Sequence, residues 1–442
     1  MPRAHPTDFV KYGGGLPSNA DIHTSFIAAQ SKIAHEAVDS GVPHHHQPAV
    51  AEFEKTIVDD AEMKDLFEKI LDEIHEKSKI PSYEELFDML DAVLSSAPPI
   101  YVATDDNGKE FGEPIGVPIY LIFDLLSNTS AGYDLFRLPR FNAALEKLLD
   151  AWGSYLSDPS KNSNTVLHSG TEGWFGQTAM SSLQEKISPL SFEATYILPD
   201  PQADNRGFKT WDAFLTRQFN ENARPVDYRS KKFLLHSACE STVHRIERDV
   251  KTHDQFGLKG QNYTLHDILD RDDKMVAKFA GGTVYQAFLS PLDYHRWHAP
   301  IDGTIEKIVN IDGSCYPPDS PYNASIPPQP FLAAASSRAL IYIRADNPAV
   351  GLMCFVGVGI AAASACDVSV KETQHVNAGD ELGMFHFGGA SHALIFGPQC
   401  KVTFAEEAAE GRHVWVNSII GRIDPKYSRD GAGPYYPSRS RM

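Results

Sequence analysis

"GMFHFGGASHALIFGP", residues 383–398, reads as an apolar strand interrupted at its centre by Gly-Gly-Ala-Ser. Two adjacent glycines in mid-strand forgo packing and cost conformational entropy, so the backbone itself must be needed there. The run is approached by "VNAGDELG" (376–383), whose Gly379-Asp380 makes a short turn. On spacing alone the glycines fit a bulge at a barrel corner. A flexible peptide bond beside a serine also admits self-cleavage.

The text around this run is strand-like. From Lys232 onward, "GGTVYQAFL", "GTIEKIVNI", "ALIYIRA" and "GLMCFVGVGI" alternate with Gly, Asp and Pro turns. They predict a β-rich barrel or sandwich. Earlier the period changes. "AVAEFEKTIVDDAEMKDLFEKILDEIHEKS" (49–78) places apolar residues at threes and fours, the mark of amphipathic helices. "SYEELFDMLDAVL" follows Pro81 with Ser82 as N-cap, and residues 117–128 and 139–157 predict two more helices. "TWDAFLTRQFNENARP" (210–225) predicts another, stopped by Pro225. The expected class is α+β: an irregular arm over 1–48, a helical domain over 49–190, a proline-punctuated linker at 188–208, a β-rich domain over 205–425 and a flexible tail over 426–442.

Composition narrows the partners. The 442 residues carry 40 basic and 58 acidic side chains, a net charge of −18, which opposes binding to nucleic acid or anionic lipid. No apolar run is long enough to span a membrane, and the first residues hold no signal-peptide core, which predicts a cytoplasmic chain without stable membrane insertion. Five scattered cysteines without a CxxC pair predict reduced thiols. "VPHHHQP" (42–48) fits an exposed loop better than a metal site.

Three segments could carry chemistry. "SPLDYHRWHAPIDGTI" (290–305) sets His295 and His298 three apart between two prolines, too short a span for a stable helix. Acid–base work and satisfied structural histidines are both open for them. "LLHSACESTVHRI" (234–246) places Glu240 among small residues. The third is the Gly388-Gly389 run itself.

Together the three resemble the phosphatidylserine decarboxylase family of pyruvoyl-dependent enzymes. That family pairs YHR-x-H-x-P with G-D-E-x-G-x-F-x-F-G-G-S; here the segments are "YHRWHAP" (294–300) and "GDELGMFHFGGAS" (379–391). "FLTRQFNENARPVD" (214–227) and "LKGQNYTLHDIL" (258–269) resemble further family landmarks. The helical half, with "AWGSYL" (151–156), is similar to a soluble fungal branch that includes L-tryptophan decarboxylases. The resemblance implies a chain that cuts itself before a serine. The serine hydroxyl attacks the preceding carbonyl, the ester eliminates to dehydroalanine, and hydrolysis leaves an amino-terminal pyruvoyl group and ammonia. That ketone then serves amino-acid decarboxylation without pyridoxal phosphate or metal. It further implies His298 as the base, His295, Phe387 and Gly388 at the substrate, and Glu240 orienting His298 in place of the family's aspartate. The implied substrate is a small aromatic amino acid such as tryptophan, with phosphatidylserine as the alternative and a homodimer possible.

One residue departs from the pattern. The match puts Ala390 where the self-cleaving serine belongs, after Gly389. Alanine has no hydroxyl with which to attack or eliminate. Three readings stay open: a deliberate replacement that traps the uncleaved precursor, a naturally inactive chain, or Ser391 acting in a shifted register. A one-residue shift turns a strand side chain to the opposite face, which weighs against Ser391. A non-catalytic carrier or scaffold is also weighed, because "HAPIDGTIEKIVNIDG" and "VKETQHVNAGDELGMF" are similar to the halves of a biotinyl-carrier barrel. No Met-Lys pair stands between them, and they lie too far apart for one tight hairpin.

Overall fold

The long helix Pro139–Ser157 shows how the first half forms. Proline opens its first turn, where no N–H is needed, and Phe141, Leu145, Leu148, Trp152 and Leu156 fall on one buried face. Burying each such side chain stabilises the fold by about 1.5–3 kcal/mol. Helices Pro48–Asp59, Ala61–His75, Tyr83–Leu94 and Pro118–Ser127 lay their apolar faces into the same core. The computed structural model describes residues 26–32, 45–75, 83–104, 110–114, 118–127, 129–252, 256–258, 261–311, 336–360 and 365–424. Most of the amino-terminal arm, the Ser82 cap, Cys315 and the tail 426–442 lie outside these residues.

The second half is built on an eight-stranded antiparallel sheet. Its order is His375–Val376, Gly303–Ile311, Ser336–Ala345, Leu352–Ile360, Ala390–Phe396, Gly282–Leu289, Ser241–Val250 and His413–Val414. A three-stranded sheet sets Glu381–Phe385 between Cys366–Val368 and Arg296–His298. Both faces of the large sheet are covered. Ala390, Leu394 and Phe396 join one apolar cluster with Leu289 and Phe355, while Ala393 and Ile395 join another with Val356 and Val358. The chain is α+β, as the change of period predicts.

One local expectation needs correction, and two features add to the sequence reading. Residues 210–225 are helical only over Trp211–Leu215. Thr216 ends the helix because Arg217 must turn inward, where its guanidinium donates to the carbonyls of Phe214, Leu292 and Asp293. The proline-punctuated stretch 188–208 is packed: Phe192, Tyr196 and Phe208 are all buried in the helical core. The helical half also contains a hairpin, Ile100–Thr104 with Glu110–Pro114. Of the cysteines, Cys239, Cys354 and Cys400 are buried and Cys366 is partly buried, and these four form no disulfide.

The two halves share one core. Leu292, Tyr294, Phe387 and Val416, all from the β-rich half, belong to the same apolar cluster as the helices. Lys186 crosses the boundary to Asp293 at 2.7 Å, and the Trp415 indole donates to the Lys186 carbonyl at 2.9 Å.

Candidate active site

The strand Glu381–Phe385 ends before the glycines, and a new strand begins at Ala390. Between them the backbone makes a tight turn. The Gly388 N–H donates to the His386 carbonyl at 2.9 Å, a bond between residues two apart that closes a γ-turn around Phe387. Phe387, Gly388 and Gly389 all have positive φ, at 68°, 120° and 44°. For Phe387 this left-handed backbone costs about 1–3 kcal/mol and persists only because its surroundings hold it. Here the side chain is buried in the helical core. The paired glycines are needed because the two residues after it also leave the region open to side-chain-bearing residues.

Ala390 is fully buried and pairs with Leu289 on one side and Gly359 on the other. Ser391 pairs with Phe288 and Val358. Strand alternation therefore turns Ser391 to the sheet face opposite Ala390. Its hydroxyl is buried without a hydrogen-bond partner among the described residues. The bond between residues 390 and 391 lies inside a paired ladder, whereas the strained turn runs directly into the 389–390 bond.

His295 stands beside Phe385, the last strand residue before this turn. Its carbonyl accepts from the Phe385 N–H at 2.8 Å, and its Nε2 lies 3.1 Å from the carbonyl oxygen of Ser290. Ser290 directly follows Leu289, the ladder partner of Ala390. Asp293 fixes the same segment. Its carboxylate accepts from the Ser290 N–H at 2.7 Å, from Lys186 and, at 2.9 Å, from His413 Nε2. Burial works to raise its pKa, but Lys186 and His413 outweigh that and hold it well below the usual carboxylate range.

His298 lies farther along, opposite Glu381 in the small sheet. Its Nδ1 donates to the Gly379 carbonyl at 2.8 Å, and its Nε2 accepts from the Tyr294 hydroxyl at 3.1 Å. Burial pushes the Tyr294 phenol well up, so it keeps its proton and acts as the donor. Burial also lowers the His298 pKa, against the opposing pull of the Gly379 carbonyl. Both ring nitrogens are committed, so His298 accepts another proton only after Tyr294 releases it.

Glu240 does not orient His298 directly. The carboxylate faces Arg224, which reaches it through Nε at 3.2 Å and Nη2 at 2.6 Å, with both side chains buried. Arg224 lies over the Trp415 ring at 4.4 Å and the Phe219 ring at 5.3 Å, and Phe219 stacks on Tyr294 at 3.8 Å. Glu240 therefore reaches His298 through an arginine and two aromatic rings. The physical reason is proximity: a guanidinium provides a fork of donors that matches a carboxylate, and here it comes first.

The structure adds residues that spacing did not single out: Arg224, Asp293, Tyr294 and Asp212. Asp293 and Tyr294 immediately precede His295 in the same motif, which was a usable signal. Arg224 lies within the landmark 214–227, while Asp212 had no signal, because only tertiary folding brings it to the site. In the helical half, His46 is partly buried rather than exposed. Its Nδ1 meets Asp91 at 2.5 Å, with Asp88 beside it.

A sequence model of phosphatidylserine decarboxylase matches residues 211–422, and a second model of that name matches residues 47–183. The decarboxylase iboD of Amanita muscaria is 48% identical over 350 residues, spanning 76% of this chain and 99% of that protein. The chain belongs to the phosphatidylserine decarboxylase family. The L-tryptophan decarboxylase of Psilocybe cubensis is 31% identical over 93% of this chain and 94% of its own length. Phosphatidylserine decarboxylase proenzyme 3 of Schizosaccharomyces pombe is more distant, at 26% identity over 51% of this chain and 23% of that protein. Family members are carboxy-lyases that depend on a pyruvoyl group made from a serine of their own chain. The residues present here do not fit that group: position 390 offers a buried methyl, and the adjacent hydroxyl of Ser391 faces the other side of the sheet. Among the described residues no helix is long and apolar enough to cross a membrane.

Proposed function

We propose that this chain is the uncleaved form of a decarboxylase for an amino acid with an aromatic side chain. The observation that carries the uncleaved state is the strained turn at Phe387–Gly389, which delivers the 389–390 bond to a residue without a hydroxyl. The substrate class is supported by likeness to L-tryptophan decarboxylases of Psilocybe cubensis and Psilocybe cyanescens, at 31% and 34% identity. In this reading the enzyme works on a small free amino acid in the cytoplasm. His298 is the base for a hydroxyl at position 390, once Tyr294 has swung away, and His295 faces the substrate.

The test is Ala390→Ser. The restored chain is incubated with tryptophan, phenylalanine, tyrosine and phosphatidylserine, and the released amine is identified. Amine from an aromatic amino acid supports the reading. Ethanolamine lipid with no amine from free amino acids overturns the substrate class in favour of phosphatidylserine.

A further inference from the structure

The turn before position 390 is held by a residue more than 170 positions away. Asp212 is buried, and its carboxylate reaches two successive groups of the turn: Oδ2 to His386 Nδ1 at 2.9 Å, and Oδ1 to the Phe387 N–H at 3.3 Å. Asp212 belongs to the short helix Trp211–Leu215, which the helical half pins in place. The Trp211 N–H donates to Ser163 Oγ at 3.0 Å, and that hydroxyl donates to the Leu156 carbonyl at 2.9 Å. Trp174 packs on Trp211 at 4.8 Å and on Phe214 at 5.5 Å. On its far side the turn is tied by the His386 N–H to the Ala365 carbonyl at 3.0 Å.

We infer that Asp212 is a positioning residue for cleavage of the 389–390 bond, clamping His386 and Phe387 so that the Gly389 carbonyl stays in line with the side chain of residue 390. The inference rests on the self-cleavage reading proposed above. Its physical basis is that the turn is strained at Phe387, and a strained backbone relaxes unless neighbouring contacts hold it. Intramolecular attack requires the reacting atoms to be held about 3–3.5 Å apart, and a small misplacement costs rate steeply. Asp212 binds the turn at its N-terminal side, so loss of its two bonds frees the start of the turn that leads into the scissile bond. The helical half thereby acquires a role: it braces the short helix that carries the clamp and buries the Phe387 ring.

The test follows release of the fragment 390–442 by mass spectrometry from freshly translated Ala390→Ser chain. Asp212→Ala in that background is expected to slow release at least about tenfold. Asp212→Asn, whose amide oxygen still accepts from the Phe387 N–H and whose NH₂ still reaches His386, should recover release to within about threefold of the parent. A thermal melt of each variant separates clamping from folding. Release by folded Asp212→Ala at the parental rate overturns the inference. So does equal slowing in Ala and Asn variants that tracks a lowered melting temperature. Should Asp212→Ala fail to fold, His386→Ala removes one of the two bonds and leaves the carboxylate; slowed release supports the clamp and an unchanged rate overturns it. Absence of any fragment from Ala390→Ser alone is a separate result, and it sinks the self-cleavage reading and the clamp together.

Discussion

Position 390 sets the state of this chain. With alanine there the protein is expected to run as a single species of 48.8 kDa, because nothing at the end of the strained turn can attack Gly389. Serine in its place should release residues 390–442 with a blocked amino terminus, read by intact mass. A fragment beginning at Ser391 from the Ala390 chain would instead show that the buried hydroxyl on the opposite face is the nucleophile. In the serine background, His298→Ala is expected to reduce cleavage by about 10²–10⁴-fold, the usual worth of a positioned base. Glu240→Gln acts differently. It leaves the Arg224 guanidinium buried with no carboxylate opposite, a change that typically costs about 3–5 kcal/mol. A urea midpoint unchanged by Glu240→Gln would show that the pair is not a stabilising element. Loss of cleavage without loss of stability would favour a direct role for Glu240 at His298.

At the scale of elements, the strand Ala390–Phe396 carries a pH dependence. His392 is fully buried, stacked on Phe355 with its Nε2 3.2 Å from the Ser241 hydroxyl. Burial lowers its pKa from 6.5 to about 3. Between those values the unfolded chain binds a proton that the folded chain refuses. Its contribution is therefore complete above pH 6.5 and is lost progressively as pH falls toward 3. Between pH 6.5 and 5 the loss should be about 2 kcal/mol, and the lowered pKa values of His236, His244 and His298 act in the same direction. Urea unfolding at the two pH values measures it, and His392→Phe should flatten the slope. An identical slope in the variant would assign the acid sensitivity to the other histidines. The segment 290–295 is held in a comparable way from outside, because Lys186 and His413 meet on Asp293.

The molecule as a whole behaves as one unit. Tyr294 and Phe387 of the catalytic half are buried in a core formed chiefly by helices, and Trp211 sits against Trp174. Removing residues 1–190 would uncover these rings as one contiguous apolar surface, of the kind that drives association. The expected outcome for residues 205–442 alone is aggregation on size-exclusion chromatography, with no cleavage even when position 390 is serine. A monodisperse fragment that cleaves at the full-length rate would show that the helical half is dispensable.

Periodicity in the sequence sufficed for much of this. Apolar residues at threes and fours fixed helices such as Pro139–Ser157, and alternating β-branched runs fixed the strands, because both patterns are local consequences of burying one face. The motifs around His295, His298 and Gly389 carried the family resemblance, since a motif confined to a few adjacent residues is written in adjacent letters. The partnerships were not. Glu240 meets Arg224 rather than His298, Asp212 reaches across to His386, and Asp293 joins Lys186 to His413. Each joins elements that are sequentially distant or differently oriented, and a side chain's partner is decided by which donor the fold brings within 3 Å. The helix expected over 210–225 stopped at Leu215 for the same reason, because Arg217 finds its carbonyl partners only in the folded chain. Local periodicity determined the elements; tertiary packing determined which charges meet, and so how the turn before position 390 is held.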